Sequence, residues 1–373
     1  MAKHALLSAS ASHRWLNCPP SALACASVEE RASPYAQQGT DAHTLCEYKV
    51  GKALGRKLQN PEGHLENFDA EMDDCTDEYR NYVLEQLEQA KKFCPDPQVL
   101  IEERLDFSRW VPDGFGTGDC VIVSDRELHV IDFKYGVGVL VNAEDNPQMR
   151  CYALGALDTY DGIYDIETVK MTIFQPRRDN ISTASMGKDE LLAWAENTLA
   201  PAAKLAYEGG GEFHAGEHCQ FCRVKATCRK RAEHNLEMAR YDFAVPDTLE
   251  PSEIAAILSR IDDLVSWGSD IKDYALQQAL SGVKYDGFKV VEGKSNRRFT
   301  DEMAVASAVQ SAGYEPYEKK ILGITAMTSL LGKKKFDELL GGLVMKPPGK
   351  PALVPEKDKR PAINTATDDF KEN

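Results

Sequence analysis

GTGDCVIVSDRELHVIDFKYG, residues Gly116 to Gly136, is the stretch whose reading decides the fold. Two runs rich in β-branched residues, Asp119 to Val123 and Leu128 to Lys134, flank a polar Ser124-Asp125-Arg126-Glu127 turn, the pattern of a β-hairpin. With Asp125 and Arg126 as a two-residue loop, Ser124 pairs with Glu127, and counting outward sets Asp119 directly opposite Asp132. A longer loop would shift that register. Directly opposed residues have Cβ atoms ~5 Å apart, where a hard divalent cation can be shared and two bare carboxylates repel. Lys134 lies two residues past Asp132, so the period of two puts its ammonium on the same face. Cys120, Ile122, Ile131 and Phe133 make the other face apolar, and Val121, Val123, Leu128 and Val130 continue the acidic face as an apolar one. Such a sheet is central and covered by helices on both sides. Acids and a lysine at its end are costly unless they pair or bind metal, the plain alternative being an Asp-Lys ion pair that closes a strand.

Working outward, Val99 to Leu105 reads as a strand before the hairpin, and Thr168 to Phe174 as another after a helix from about Pro147 to Leu157. That helix carries Gln148 and Tyr152, a Q-x3-Y spacing that puts both on one face. Upstream, a helix should open at Gly39-Thr40-Asp41, with Thr40 or Asp41 as its N-cap, and carry His43, Leu45, Cys46 and Val50. A polar helix is expected around Asp77 to Phe93. Helical pattern from Lys188 to about Tyr207 should break or kink at Pro201 and stop at Gly209-Gly210-Gly211. Past a linker at Val245 to Pro251, Ser252 to Leu280 reads as one long amphipathic helix, followed by a strand-like piece, Gly287 to Gly293, and further helices. The division expected is a domain over 1–235, a mainly helical region over 250–345, and an extended or disordered tail over 346–373.

The 373 residues are 43% hydrophobic and 28% charged, ample for a sizeable core. No apolar run approaches the ~20 residues of a membrane span, and Ala5 to Ala11 is too short and serine-rich for a secretory signal, so the chain reads as a cytoplasmic globular protein with no membrane partner. A net charge of -15 argues against a generally sticky nucleic-acid binder, and any DNA would have to meet bound metal or local basic patches. Candidate patches are Arg177 and Arg178, the run Arg223 to Arg231, Arg297 and Arg298, and Lys333 to Lys335, each of which alone reads more readily as a solvated face.

Ten cysteines in a reducing compartment are better metal ligands than disulfides. The stretch GEHCQFCRVKATCRKRA sets Cys219, Cys222 and Cys228 in a C-x2-C-x5-C array, which needs a fourth ligand. His218 would suggest zinc; a distant cysteine is the other choice, and Cys18, held extended by Pro19-Pro20, is a candidate. Cys25, Cys46, Cys75, Cys94, Cys120 and Cys151 read as ordinary buried residues.

The ordered set of His43, G-x-G-D ending at Asp119, D-x-K from Asp132 to Lys134, and Gln148 with Tyr152 resembles the RecB-like branch of the PD-(D/E)XK nucleases, which includes AddB-type and CRISPR-adaptation nucleases. The resemblance covers Ser8 to about Ala232 and implies an α/β restriction-endonuclease-like core, a central mixed sheet flanked by helices, with a smaller mainly helical C-terminal region. It implies that His43, Asp119 and Asp132, with the Phe133 carbonyl, hold Mg or Mn; that Lys134 activates water; and that Gln148 and Tyr152 position DNA and metal. An acid on the preceding strand, Glu102 or Glu103, would complete the site. The hairpin has D-x-K where many members have E-x-K. Members with an iron-sulfur staple carry one cysteine before the core and three after it, which implies a 4Fe-4S cluster on Cys18, Cys219, Cys222 and Cys228, with structural zinc as the alternative. The C-terminal third resembles the remainder of a phage-encoded uncharacterised family. The activity implied is a metal-dependent DNase, an exonuclease in phage replication, recombination or repair, acting on DNA ends or single-stranded regions inside a phage-infected or prophage-carrying host. Phage single-strand-binding or recombination proteins would be its partners, and a homo-oligomer is left open. The rival reading is a catalytically weak accessory subunit that grips DNA and proteins.

Overall fold

The computed structural model describes residues 5–28, 34–237, 249–291, 300–317 and 321–345. The chain divides into two compact units, Met1–Tyr274 and Ala275–Asn373. At the centre of the first is a five-stranded sheet in sequential order: β1 (Gln98–Asp106), β2 (Phe115–Val123), β3 (Arg126–Phe133), β4 (Ile166–Gln175) and β5 (Asn180–Gly187). All neighbours pair antiparallel except β3 and β4, which are parallel. A parallel pair needs a crossover, and the helix Pro147–Tyr160 supplies it. The fold is therefore α/β, a mixed sheet flanked by helices.

The hairpin has the register counted from the sequence. Val123 pairs with Leu128 and Cys120 with Ile131, so one further step sets Asp119 across from Asp132. Ser124 closes the loop, its N–H 3.2 Å and its hydroxyl 2.7 Å from the Glu127 carbonyl, and Arg126 takes the left-handed turn at φ 70°. Both faces are buried. Val121, Val123, Leu128 and Val130 pack on the crossover helix through Met149, Cys151, Ala153 and Leu154. Ile101, Cys120, Ile122, Ile131 and Phe133 pack on two long helices through Leu45, Val50, Met72, Tyr79 and Val83.

The helices of the first unit are α1 (Ser12–Asn17), α2 (Ser21–Ala26), α3 (Pro34–Ala53), α4 (Ala70–Ala90), α5 (Pro147–Tyr160), α6 (Lys188–Trp194), α7 (Ala200–Tyr207), α8 (Arg229–Leu236) and α9 (Pro251–Leu258), with α10 (Ile261–Leu280) running across the division. α5 starts where Asn146 caps it, the side chain accepting the N–H groups of Gln148 and Met149 at 3.0 and 3.3 Å with Pro147 at the first helical position. The expected N-cap at Thr40 or Asp41 is corrected: α3 already opens at Pro34, and the Thr40 hydroxyl donates to Ala36 inside it. Asp41, 4% exposed, instead accepts the Asn67 backbone N–H and side-chain amide at 2.9 and 2.7 Å, so its capping chemistry serves the segment ahead of α4. α4 also starts earlier than expected, because Asp69 caps it through Met72 N–H at 2.8 Å.

Pro201 does interrupt its helix: α6 passes through a π-helical turn, Ala195–Leu199, into α7, which absorbs the missing N–H and the ring's clash with the preceding turn. The stop at the glycines is a Schellman end. Gly209 sits at φ 72°, its N–H bonds Ala206 O, and Gly210 N–H bonds Leu205 O at 2.9 Å. β5 was missed by the sequence reading, because Ser182 to Ser185 are small or polar and its apolar Ile181 is exposed, which leaves little apolar alternation.

The long helix expected over Ser252 to Leu280 is two helices, broken at Ser259–Arg260, where the Arg260 guanidinium reaches back to the His234 carbonyl at 2.7 Å. The first unit runs beyond the boundary expected near 235–250. Arg231, 2% exposed, is held by Asp270 at 2.6 Å and Asp263 at 3.2 Å and ties α8 to α10. The second unit is mainly helical among its described residues: α11 (Glu302–Ser311), capped by Asp301, α12 (Ile324–Leu331) and α13 (Lys333–Leu340). The described part of the strand-like piece, Gly287 to Val291, forms no strand, and residues 346–373, with most of the expected linker, lie outside the described residues. Among the described residues no helix is long and apolar enough to cross a membrane.

Candidate functional site

Three neighbouring strands and two helices bring the sequence-predicted residues to one end of the hairpin. His43 on α3 places Nδ1 3.2 Å from Asp119 Oδ1 and 3.8 Å from Glu102 Oε1. One ligand atom from each of His43, Glu102 and Asp119 lies within 4.8 Å of the others. This separates Glu102 from Glu103, which is exposed. Glu102 sits at φ 49° in mid-strand, between the pairs Ile101–Cys120 and Glu103–Gly118, and by count faces Asp119. A left-handed non-glycine residue costs on the order of 1 kcal/mol, and such strain gathers at functional positions.

Asp132, 3% exposed at its side chain, faces Lys134 at 2.9 Å through Oδ2 and accepts the Gln148 amide at 3.0 Å through Oδ1. Gln148 also donates to Tyr152 Oη at 3.2 Å, and its carbonyl oxygen lies 3.5 Å from Lys134 Nζ. Phe133 enters through its backbone N–H, which donates to Asp119 Oδ2 at 2.6 Å. The glycines of the G-x-G-D stretch make room: a Cβ on Gly116 would lie 2.6 Å from the Tyr152 ring, and one on Gly118 2.7 Å from Leu105.

The charges respond to one another. Burial pushes the Asp132 carboxyl up to about 6, with the Asp119 carboxylate adding to the shift and Lys134 opposing it. Burial also works against Asp119, but His43 and Lys134 outweigh it and hold that carboxyl below the usual range. Burial disfavours a charged His43; the Asp119 and Glu102 carboxylates overcome it and raise the imidazolium to about 10. Two or three acids sharing one end of a sheet need cations, and His43, Lys134 or a divalent ion can provide them. The donor set is mixed nitrogen and oxygen, and Asp132 Oδ2 is buried without a hydrogen bond of good geometry among the described residues. Both features fit a hard divalent cation.

The cysteine loop is the second constellation. Cys18, at the end of α1, accepts the His214 N–H at 3.5 Å, and Cys219 lies 3.9 Å from the carbonyl of the same residue. His218 hydrogen-bonds the His214 carbonyl at 2.9 Å and is raised above its ordinary value, chiefly by the neighbouring Cys18. Cys18, Cys219 and Cys222 are buried and Cys228 is half-buried. The N-terminal cysteine thus meets the C-terminal loop across 196 residues of chain between Cys18 and His214. Sequence reading missed one member: Cys25 on α2 places its Sγ 3.7 Å from Cys222 Sγ. A C-x6-C spacing from Cys18 was the only signal available for it. Cys46, Cys75, Cys120 and Cys151 are buried hydrophobes whose thiols burial pushes up.

The basic patches fare unevenly. Arg177 is paired with Glu71 at 3.1 Å and lies over the Tyr135 ring, Arg178 donates to the Val137 carbonyl, and Arg231 is buried. Arg297 and Arg298 lie outside the described residues. Arginines gather instead around an open cavity of about 1250 Å³ lined by Arg14, Arg104 and Arg223 with His13, His218, Phe115, Tyr207 and Phe221. Its lining acid, Asp113, is taken by the Tyr207 hydroxyl at 2.7 Å. Arg104 lies 3.6 Å over the Phe115 ring, two residues along β1 from Glu102, and Phe221 is 72% exposed.

Among solved structures, one named "Crystal structure of SSO0001" aligns with 52% of this chain and 98% of that chain at 13% identity and a TM-score of 0.22, too slight a likeness to carry an argument. Over residues 4–361 the chain matches the family described as "Protein of unknown function (DUF2800)", and it belongs to that family.

Proposed function

We propose that the protein is a metal-dependent DNA nuclease of the RecB-like type. The observation that carries this reading is the convergence of His43, Glu102, Asp119, Asp132, Lys134, Gln148 and Tyr152 on one end of a buried hairpin. His43, Glu102 and Asp119 would hold Mg or Mn, with Asp132 beside them. When bound, such an ion supplies charge for the phosphate oxygens and lowers the pKa of a water. Lys134 pairs with the Asp132 carboxylate at 2.9 Å and donates to the Gln148 oxygen at 3.5 Å, and from that position its ammonium would meet the attacking water or a phosphate oxygen. Gln148, fixed by the α5 cap, keeps Asp132 and Tyr152 in register. Cys18, Cys219, Cys222 and Cys228 would hold a thiolate-bound centre, 4Fe-4S by resemblance or structural zinc, joining the ends of the first unit; the meeting of Cys18 and Cys219 at His214 supports this.

The test is anaerobic protein with Mn or Mg on end-labelled linear, nicked and circular DNA. Loss of linear but not circular DNA is the exonuclease result. No cleavage of any form, with DNA still bound, would leave the accessory-subunit reading instead.

Two further outcomes follow from the charges. A ligating imidazole must be neutral, so binding Mn at pH 7 should expel about one proton from His43, and apparent affinity should rise roughly tenfold per pH unit toward pH 10. Calorimetry in two buffers of different ionisation enthalpy reads the proton count, and a count of zero would return His43 to a structural role. Arg104→Ala should weaken oligonucleotide binding without abolishing cleavage, because the cationic and aromatic cavity beside the site suits a phosphate backbone and its bases. The slope of log K against log salt should fall by about 1. An unchanged slope would place the nucleic acid elsewhere.

A further inference from the structure

Helices α1 and α2 deliver two thiols, not one, to the cysteine loop. Cys18 sits against His214 and His218, whereas Cys25, 4% exposed, packs sulfur to sulfur on Cys222, 7% exposed, at 3.7 Å. Arg223, next to Cys222, points its guanidinium at the Cys25 and Val28 carbonyls at 3.5 Å, so main chain as well as side chain is matched across this contact. Two thiolates on one tetrahedral ion with metal–sulfur bonds of ~2.3 Å stand about 3.8 Å apart. The Cys25–Cys222 separation is that edge. Corner ligands of a cubane cluster bind different irons and need not approach so closely, whereas each iron of a 2Fe-2S centre and a single zinc takes two or more cysteines.

We propose that Cys25 is a metal ligand that chelates a single thiophilic ion together with Cys222, so that the N-terminal helices contribute both Cys18 and Cys25 to the centre. This rests on the reading that the cysteine loop holds metal, and it alters which residues hold it and how many share an ion. Two thiols on one ion fit zinc, or one iron of a two-iron centre, and leave Cys228, the half-buried member, as the dispensable thiol. The same arrangement fixes α2 to the loop and so shapes the cavity that both line.

The experiment is anaerobic purification of the full chain and its Cys25→Ser, Cys222→Ser, Cys228→Ser and Cys25→His variants, with iron and zinc per chain from elemental mass spectrometry and the visible absorption of each, read after cobalt substitution where the metal is zinc, which is itself colourless. Cys25→Ser should lose metal as completely as Cys222→Ser, and Cys228→Ser should keep most of it. Cys25→His retains a donor, so it should hold metal with a shifted spectrum, which a residue that only packs could not cause. Full metal and an unchanged spectrum in Cys25→Ser or Cys25→His would overturn the proposal. If Cys222→Ser loses its metal in that case, the cysteine centre itself stands without Cys25. If the wild-type chain holds neither metal, or Cys222→Ser keeps a full complement, both readings fall.

Discussion

Asp119→Ala should abolish DNA cleavage while the fold persists. Asp119 joins two elements of the site: His43 on α3 at 3.2 Å through one oxygen and the Phe133 N–H on β3 at 2.6 Å through the other. Its removal leaves His43 and Glu102 as an incomplete donor set and takes one anionic oxygen ligand from the place where the cation would sit. A metal site contributes several kcal/mol of transition-state stabilisation, so the loss should be on the order of a thousandfold or more. Asp132→Ala and Lys134→Ala should be comparably inactive, since they form one ion pair at the same place. Circular dichroism should stay that of the wild type, because the buried faces of the hairpin are formed by Val121, Val123, Ile122 and Ile131 rather than by the acids. Full cleavage by folded Asp119→Ala protein would end the site assignment.

On the proposal that the cysteine loop binds metal, Cys219→Ala should remove that metal and lower stability together. The loop from Gly210 to Cys228 contains only short 3-10 structure, and its packing onto α1 and α2 runs through Cys18, His214, Cys219 and the Cys25–Cys222 pair. Metal binding to such a loop is also folding free energy, so losing one ligand should cost several kcal/mol rather than the increment of one side chain. For a unit of this size that corresponds to about 10 °C or more in Tm. Cys18→Ala should match it although it lies at the other end of the unit. Cys151→Ala, at a buried position on α5, should show only the smaller cost of a lost core sulfur and full metal. If Cys18→Ala kept its metal and Tm while His218→Ala lost both, a local zinc site of His218, Cys219, Cys222 and Cys228 would replace the long-range one.

Several features of this protein were legible in its sequence because the forces behind them are local. The hairpin register follows from a two-residue loop and a period of two, and it already placed Asp119 across from Asp132 with Lys134 alongside. The start of α5 follows from Asn146 and Pro147, and the end of α7 from Gly209 and Gly210. Only the tertiary structure decided what depends on chain segments meeting. The choice of Glu102 over Glu103 rests on a left-handed backbone that no residue pattern announces. Asp41 has the chemistry of a cap, but burial against Asn67 uses it otherwise. Arg231 reads as part of a basic patch, yet Asp263 and Asp270, more than thirty residues away, draw it inside. Cys25 looks like one more buried thiol until α2 packs on the loop and sets its sulfur against Cys222. Spacing along a chain reports which side chains share a face, whereas a contact across nearly two hundred residues is settled only when the cores of several elements pack at once.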